Sequence, residues 1–519
     1  MSPLQRRDFL RLMALQMAAW SLGCGRHEGG LPPNPHANLW LGDDFTMGHR
    51  LRDGMLPSSA GAALEPACDA IVVGGGISGL TAAWQLAKAG RRVTVLEQAR
   101  EIGGNAKSAE WGDIRYSIGA AYFTRPDPGS ALETLYRELG VLERAVQVPK
   151  GEVFFDRRLV EHFWDGTTES AAQAISATKG IADAWRKMVA TRYPEIPWTE
   201  RTEGWPRAEF ERLDALPFSS YLERLGAPGH VRQFCEYYCW SSFGGSAKEI
   251  STYAALNFLT AEFGDILALP GGNSGIARAL GEALRAKGVN LVTDTLASRV
   301  RSVERGVEVT AFTGERPRRF PARACVAAVP RFMAARIVED FPQERAAQVA
   351  EMKWRAYLVA NVLLRRRPSV EWYDSYRIEP LDPHTAAWTD LIIADFVASP
   401  KSGHSVLTAY RALPYDGGRS ELFAATSPAG YRDAVRHDLQ PWLAAIGLSD
   451  RDIVDINMAR WGHPLVLAQP GQLASGRLEK ISAPFQRVAF AHQDRFGVPA
   501  IENAIEAAFE AAGEVAALS

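Results

Sequence analysis

Apolar and polar positions divide the chain into short blocks of two periodicities. Asp69-Ala-Ile-Val-Val73 and Arg92-Val-Thr-Val-Leu96 are apolar runs of strand length. Between them, residues 80–89 place Leu80, Ala83, Leu86 and Ala87 on one helical face, and Gly90 stops the helix. Apolar residues at three- and four-residue spacing predict helices over 130–141 and 169–193, and another follows over 276–285. Val289-Asn-Leu-Val292, Ser298-Arg-Val300 and Val307-Glu-Val-Thr310 alternate as half-buried strands do. Further strand runs cover 324–330, 357–364, 390–394 and 487–491, and a last helix starts within 499–508. The expected fold is α/β.

Length and composition narrow the class. A chain of 519 residues exceeds one ordinary core and predicts two or three domains. The composition, 47% hydrophobic and 23% charged, is that of a soluble globular protein. A net charge of −2, with no long basic run, makes no electrostatic case for nucleic acid or for a polybasic membrane patch. No run of 18 apolar residues predicts a transmembrane helix in the mature chain. The 14 Trp, 14 Tyr and 22 Phe suffice to line a large apolar cavity, and most of them are expected to fill the core. Five cysteines (Cys24, Cys68, Cys235, Cys239 and Cys325) are too few for a disulfide scaffold. Cys235 and Cys239 share a helix face with no further ligand at metal spacing, so packing is expected there and no metal site.

The N-terminus reads as an address. Arg6-Arg7-Asp8-Phe9-Leu10, a mildly apolar stretch over 12–22 and Gly23-Cys24 resemble a twin-arginine signal peptide. The implied product is exported and periplasmic, with a possible lipid anchor on Cys24 set against Ser21 standing where such sites carry Leu or Val. Residues 25–66, rich in Gly, Pro, Asn and His, read as a linker.

Residues 69–108 carry the chemistry. Gly74-Gly75-Gly76-Ile77-Ser78-Gly79 joins the first strand to its helix, and Glu97 then Gln98 follow the second strand. In that setting Gly74 permits the tight turn, Gly76 admits a pyrophosphate and Gly79 lets helix and strand pack closely. The helix N-terminus, with Ile77 and Ser78, offers N–H groups to phosphate. Glu97, 21 residues after Gly76, suits both ribose hydroxyls and would repel a 2′-phosphate, which disfavours NADP. The unit does not distinguish FAD from NAD. Gly103-Gly104-Asn105-Ala106-Lys107 and the small-residue edge Gly119-Ala120-Ala121 come next; a Gly-Gly doublet lets backbone pass a bulky planar group or a second phosphate.

These motifs resemble the flavin-containing amine oxidase superfamily, among whose members the spermidine dehydrogenase and protoporphyrinogen oxidase types are most similar. The resemblance departs at Asn105, where Arg is usual, and at His492, Pro499 and Asn503. It implies non-covalent FAD held by a discontinuous domain of three pieces (67–125, 268–335 and 455–519) with a substrate domain of 126–267 and 336–454. It implies that the Val300 backbone meets the adenine. It also implies that Gln493 or Asp494, following His492, contacts the ribityl chain, and that the last helix aims its N-terminus, with Ala500 and Asn503, at the flavin.

On the substrate side, many relatives carry a Lys on a strand entering the flavin site; the corresponding position here is Asn361. This implies a dehydrogenase passing electrons to a periplasmic acceptor. Trp461 is a candidate cation–π partner for an amine and His463 the best titratable candidate, while a buried Trp and a satisfied His are the bland alternative. Tyr237, Tyr238 and Trp240 could line the pocket, with core packing the expected role. The leading expectation is a small-molecule, polyamine-like amine as hydride donor. Desaturation or oxidation of a lipophilic polyene or porphyrinogen is the second reading, and a non-catalytic FAD-binding protein the third.

Overall fold

The computed structural model describes residues 31–149, 151–191, 195–199, 205–378, 388–398 and 403–518. The expected signal peptide and Cys24 lie outside the described residues. Along the chain come strand β1 (Trp40–Gly42), helix α1 (Thr46–Arg52), β2 (Cys68–Val73), α2 (Ile77–Lys88), β3 (Val93–Leu96), β4 (Glu152–Phe155) and β5 (Arg158–Val160). Then follow α3 (Gly229–Phe243), α4 (Thr252–Ala261), β6 (Asn290–Val292), β7 (Thr295–Val303), β8 (Gly306–Thr313), β9 (Arg316–Ala327) and β10 (Trp354–Leu364). The chain ends with β11 (Asp374–Arg377), β12 (Asp390–Ile393), β13 (Ser405–Ala412), β14 (Ile453–Val466), β15 (Val488–Phe490) and α5 (Ile501–Leu518). Among the described residues, no helix is long and apolar enough to cross a membrane.

Two sheets organise these elements. The first has the order β6-β3-β2-β9-β8-β7, with β15 added beside β9. β6, β3, β2 and β9 run parallel, whereas β8 and β7 return antiparallel. Its strands read as continuous apolar runs because both faces are covered. Ala70 and Val72 join a cluster with Leu80, Ala83, Ile505 and Ala508, while Ile71 and Val73 join Val300, Val309, Ile337 and Phe490 on the other side. Each of the fully buried Val, Leu, Ile and Phe side chains among them contributes about 1.5–3 kcal/mol of transfer free energy.

The second sheet has the order β1-β14-β10-β13-β12-β11-β4-β5. Its β10 is buried at every position. One face packs on Trp388, Trp442 and Leu439, and the other on Trp111, Tyr116 and Trp240. α3 places Cys235 and Cys239 fully buried in a separate core among Trp185, Phe218 and Tyr253.

Two boundaries read from the sequence need correction. β14 covers most of the start of the expected third cofactor piece, yet it pairs antiparallel with β10 in the second sheet. The cofactor sheet regains the chain only at β15, which pairs with β9. Residues 31–66 are likewise no linker. β1 runs parallel to β14, with Trp40 opposite Met458 and Gly42 opposite Arg460. A Cβ on Gly42 would lie 2.3 Å from the Arg460 carbonyl oxygen, so only glycine permits the pairing. The Arg460 guanidinium sits 4.9 Å from the Trp40 ring and 4.4 Å from the Phe45 ring. Trp40, within Leu39-Trp40-Leu41, and Phe45 are the apolar anchors of a segment whose overall composition is polar.

The glycine turn sets the closest packing in this half of the molecule. A Cβ at Gly79 would lie 1.9 Å from the Gly74 carbonyl oxygen, which is backbone and cannot give way. Gly180, in the exposed middle of the helix Ala172–Ala190, has no atom within 4 Å of its built Cβ. Gly79→Ala is therefore expected to lower stability by about 2–3 kcal/mol through overpacking, whereas Gly180→Ala raises it by about 0.5–1 kcal/mol. Thermal unfolding of the two variants should shift Tm in opposite directions; a shared direction would contradict the packing described.

Candidate active site

Strand β2 ends where its chain must turn sharply into α2. Gly74 makes the turn at φ +108°, and a Cβ there would meet the Ala328 carbonyl oxygen at 2.3 Å. Gly76 caps α2 with no side-chain hydrogen bond, so the first N–H groups of the helix stay open toward the adjoining cavity. The Gly-Gly doublet packs on this turn. Gly103 accepts no side chain at φ +129°, its N–H donates to the Gly75 carbonyl at 2.8 Å, and a Cβ on Gly104 would reach Gly76 Cα at 3.0 Å. The doublet thus lets two backbones touch behind the phosphate-binding turn.

A continuous cavity of about 1100 Å³ runs from this turn in both directions. At one end Glu97 accepts the N–H groups of Gly75 at 2.6 Å and Ala99 at 2.8 Å. Burial lifts its carboxyl above the ordinary range, against the pull of those two donors and of Lys107. Gln98, Leu296 and Ala297 line the same end, with Asp43 just after β1 and Gly48, His49 and Arg52 from α1. Asp43 is held there by the Gly462 N–H at 3.1 Å.

At the centre, α5 packs its small face (Ala508, Ala511 and Ala512) against the glycine-turn helix. Its first turn lines the cavity with Ala500, Ile501 and Asn503, beside Gln493 and His492. The glycine turn and the tail helix therefore face one space.

Whether these residues fit an elongated dinucleotide can be read from their polar atoms. Ser78 Oγ, Asn503 Nδ2 and Asn273 Oδ1 are buried without a protein partner, and all three residues line the cavity. Buried polar atoms are rarely left so, and three facing one cleft mark places for ligand hydrogen bonds. Together with the open helix N-terminus for phosphate and Glu97 for ribose, they leave donors and acceptors for the flavin edge, and the site fits FAD.

Of the remaining candidates, Gly119 and Ala120 line the cavity, where the Gly119 carbonyl accepts the Tyr410 hydroxyl at 3.0 Å and the Ala120 N–H donates to the Asn105 carbonyl at 3.1 Å. Asn105 also lines it and turns its amide to the Pro464 carbonyl at 3.3 Å. Gln493 donates to the same carbonyl at 2.7 Å, which ties the doublet to the third piece through Pro464.

Four expectations are corrected. Val300 is off the cavity: a bulge between Ala297 and Arg299 shifts the register, the Val300 carbonyl accepts the Glu339 N–H at 2.9 Å, and Leu296 and Ala297 take the wall position. Asp494 is not the cavity-facing residue of its pair. It is fully buried, accepting from the Arg331 N–H at 2.8 Å and Trp354 Nε1 at 3.3 Å. Burial pushes its carboxyl up, but His492, 3.0 Å away, and Arg331 outweigh this and hold it below the ordinary range. Asn361 lies too deep in β10, donating to the Ser117 carbonyl and Thr408 Oγ1; Val359, one pleat earlier, faces the cavity. His463 lines the cavity, but burial, with Arg419 and His49 nearby, pushes its imidazole down to about 4, so it stays neutral at physiological pH.

The far end is a chamber of aromatic and acidic groups. Trp461 donates its indole N–H to the Ile118 carbonyl at 2.7 Å and presents its ring to the cavity. Tyr122, Tyr238, Tyr357 and Tyr410 surround it, and Glu262 and Asp390 supply carboxylates. Tyr238 donates to Glu262 Oε1 at 3.0 Å. Tyr237 is buried and absent from the lining, and Trp240 packs in the core between α3 and the second sheet. Neither Glu262 nor Asp390 was singled out in the sequence; the available signal was a lone acid opening the apolar run Asp390-Leu-Ile-Ile. Among the described residues, no cluster of three or more His, Cys, Asp or Glu is placed to hold a metal ion.

Comparison with known proteins agrees with this geometry. The family described as flavin containing amine oxidoreductase matches residues 77–516. Oxidoreductase PigB of Serratia sp. (strain ATCC 39006) is 27% identical over 517 residues, covering 89% of this chain and 77% of its own. (S)-6-hydroxynicotine oxidase of Paenarthrobacter nicotinovorans is 31% identical over 207 residues, 38% of this chain and 45% of its own. The structure of wild-type putrescine oxidase bound to putrescine superposes with a TM-score of 0.66 at 16% identity, over 87% of this chain and 99% of that one, a likeness of fold. The matched span takes in α2, the doublet, the aromatic chamber and the tail helix that face one cavity, and the chain belongs to the flavin-containing amine oxidoreductase family as an FAD-dependent oxidoreductase.

Proposed function

We propose that the protein oxidises the carbon–nitrogen bond of an amine, polyamine-like in carrying more than one positive charge, using FAD held without a covalent bond. The observation that carries this reading is the continuity of the cofactor cavity with a chamber walled by Trp461 and four tyrosines and charged by Glu262 and Asp390. Ring faces attract a cation, and desolvated carboxylates do so more strongly. Such a chamber disfavours an anionic porphyrinogen, and its carboxylates gain nothing from a neutral polyene. The bound flavin would supply the hydride acceptor. The chain supplies the rest. Ser78 and the N-terminus of α2 hold phosphate, Glu97 holds the sugar, and the N-terminus of α5 favours negative charge near Asn503. The aromatic wall orients the substrate and keeps water out.

Two further parts of the reading rest on what lines the cavity. None of the described lining residues is a cysteine, which supports a non-covalent cofactor. Lys107 is the one lysine among them, and it stands near Glu97 and Asp43 at the sugar end, away from the chamber. With Val359 at the β10 wall, this supports transfer of electrons to an acceptor other than dioxygen. The twin-arginine motif supports export to the periplasm; replacing Arg6-Arg7 with Lys-Lys should retain the protein in the cytoplasmic fraction.

Purified protein is expected to be yellow and to bleach anaerobically with diamines faster than with monoamines of equal length. A protein reduced by porphyrinogens and by no amine would overturn the proposal. Glu97→Ala is expected to lose cofactor at dilute FAD, because the buried ribose hydroxyls lose their acceptor; full occupancy after gel filtration would contradict the assignment. Because His463 is already neutral well below pH 6, His463→Gln should leave the shape of the reduction-rate profile between pH 6 and 9 unchanged. A limb that vanishes with His463 would show that it titrates there.

A further inference from the structure

Asp390 stands at the start of β12, opposite Tyr410 of β13, which is itself opposite Val359 of β10. Directly opposed residues share a sheet face, so Val359, Tyr410 and Asp390 form one row across the chamber wall, and all three line it. Asp390 is 4% exposed. Its Oδ1 accepts two hydroxyls, Ser241 Oγ at 2.7 Å and Thr389 Oγ1 at 2.7 Å. No described hydrogen bond goes to Oδ2, and this atom is not among the buried oxygens lacking a partner. Ser241 and Thr389 thus clamp one oxygen and leave the other for the chamber.

Tyr410 beside it bonds the Gly119 carbonyl, and Gly119 in turn packs against the Trp461 ring. Asp390 therefore stands one residue from the wall at which the proposed amine meets the cofactor cavity.

We propose, on the amine reading above, that Asp390 is the group that removes the proton from the substrate ammonium before oxidation. One N–H bond of the ammonium breaks, its electron pair stays on nitrogen, and the proton bonds to Asp390 Oδ2. The products are a neutral amine and a neutral carboxylic acid; the total charge of the pair is unchanged. No co-reactant is required.

The direction of transfer follows from burial. In water an ammonium keeps its proton against a carboxylate by several pKa units. In a dry chamber an ion pair is costly, and the neutral, hydrogen-bonded pair is favoured relative to it. The environment of the carboxyl suits a proton acceptor, since burial pushes it up to about 6, against the Thr389 and Ser241 hydroxyls. The ionisable groups that face it are Asp374 and Tyr376 of β11, Tyr410 of β13, Tyr357 of β10 and Tyr122, and Glu262, after α4, acts on Asp374, Tyr376 and Tyr122 in turn. These neighbours are carboxyls and phenols, so a transferred proton meets no cationic competitor among them. Burial holds all four phenols well above their ordinary range, and they stay neutral through the working pH.

The test is stopped-flow anaerobic reduction of the FAD-loaded protein by a diamine, from pH 5 to 9. Wild type should show a rate that rises through a limb near pH 6 and then levels. Asp390→Asn should reduce about 100-fold more slowly at pH 8, lack that limb, and keep its flavin spectrum, FAD occupancy and Tm. A variant within about twofold of wild type, or one that retains the limb, would overturn the assignment. A limb that moves with the pKa of the diamine chosen would also overturn it, because the substrate would then be the titrating group. Should Asp390→Asn fail to fold, Ser241→Ala serves: losing one donor to Oδ1 should move the limb to higher pH, and an unmoved limb would count against the role. If no amine reduces wild type at all, it is the amine reading itself that fails.

Discussion

The close approach of three backbone segments determines where everything else in this molecule can go. The turn after β2 lies between Ala328 at the strand end on one side and the Gly103-Gly104 doublet on the other, at distances that only Cα atoms without a Cβ allow. This contact aims the open N–H groups of α2 into the cleft. It also fixes the height at which Asn105, and through Pro464 the Gln493 segment, must lie. The tail helix can then approach α2 because three alanines, Ala508, Ala511 and Ala512, stand in its contact face.

The two sheets divide the work. The first is buried on both faces and supplies rigidity around the dinucleotide, with its loops at the strand ends carrying Glu97 and the turn. The second presents a row of larger side chains, Val359, Tyr410 and Asp390, whose spacing is set by strand pairing rather than by loops. Substrate-facing groups on paired strands are held to the tolerance that orientation of a reacting bond demands. The Asp390 carboxyl among them is lifted by burial, a cost in folding stability carried by the apolar clusters on either side.

The cofactor half is readable in the sequence because its logic is local. Strand, glycine turn, helix, strand and acid fall within 30 residues, and each role follows from a residue type at a fixed offset. Readings failed where a position depends on a distant partner. The bulge after Ala297 displaced Val300 from the wall, an event no alternation pattern marks. Asn361 has the right parity in β10 but lies one pleat too deep, and parity does not report depth. Glu262 and Asp390 come from segments 128 residues apart and line one cavity only in the folded chain. The linker reading of 25–66 missed Trp40 and Phe45, whose role depends on Arg460 lying against both rings.

The pairing of β1 with β14 has a bearing on how the protein is assembled. Trp40 meets Met458, so an early-made strand waits for some of the last-made residues before it can dock. Contacts of such span form late and slowly. Until they form, Asp43 and the α1 residues that line the sugar end lack their anchor on β14. Keeping a prosthetic group in place would then depend on a strand pairing that joins opposite ends of the chain.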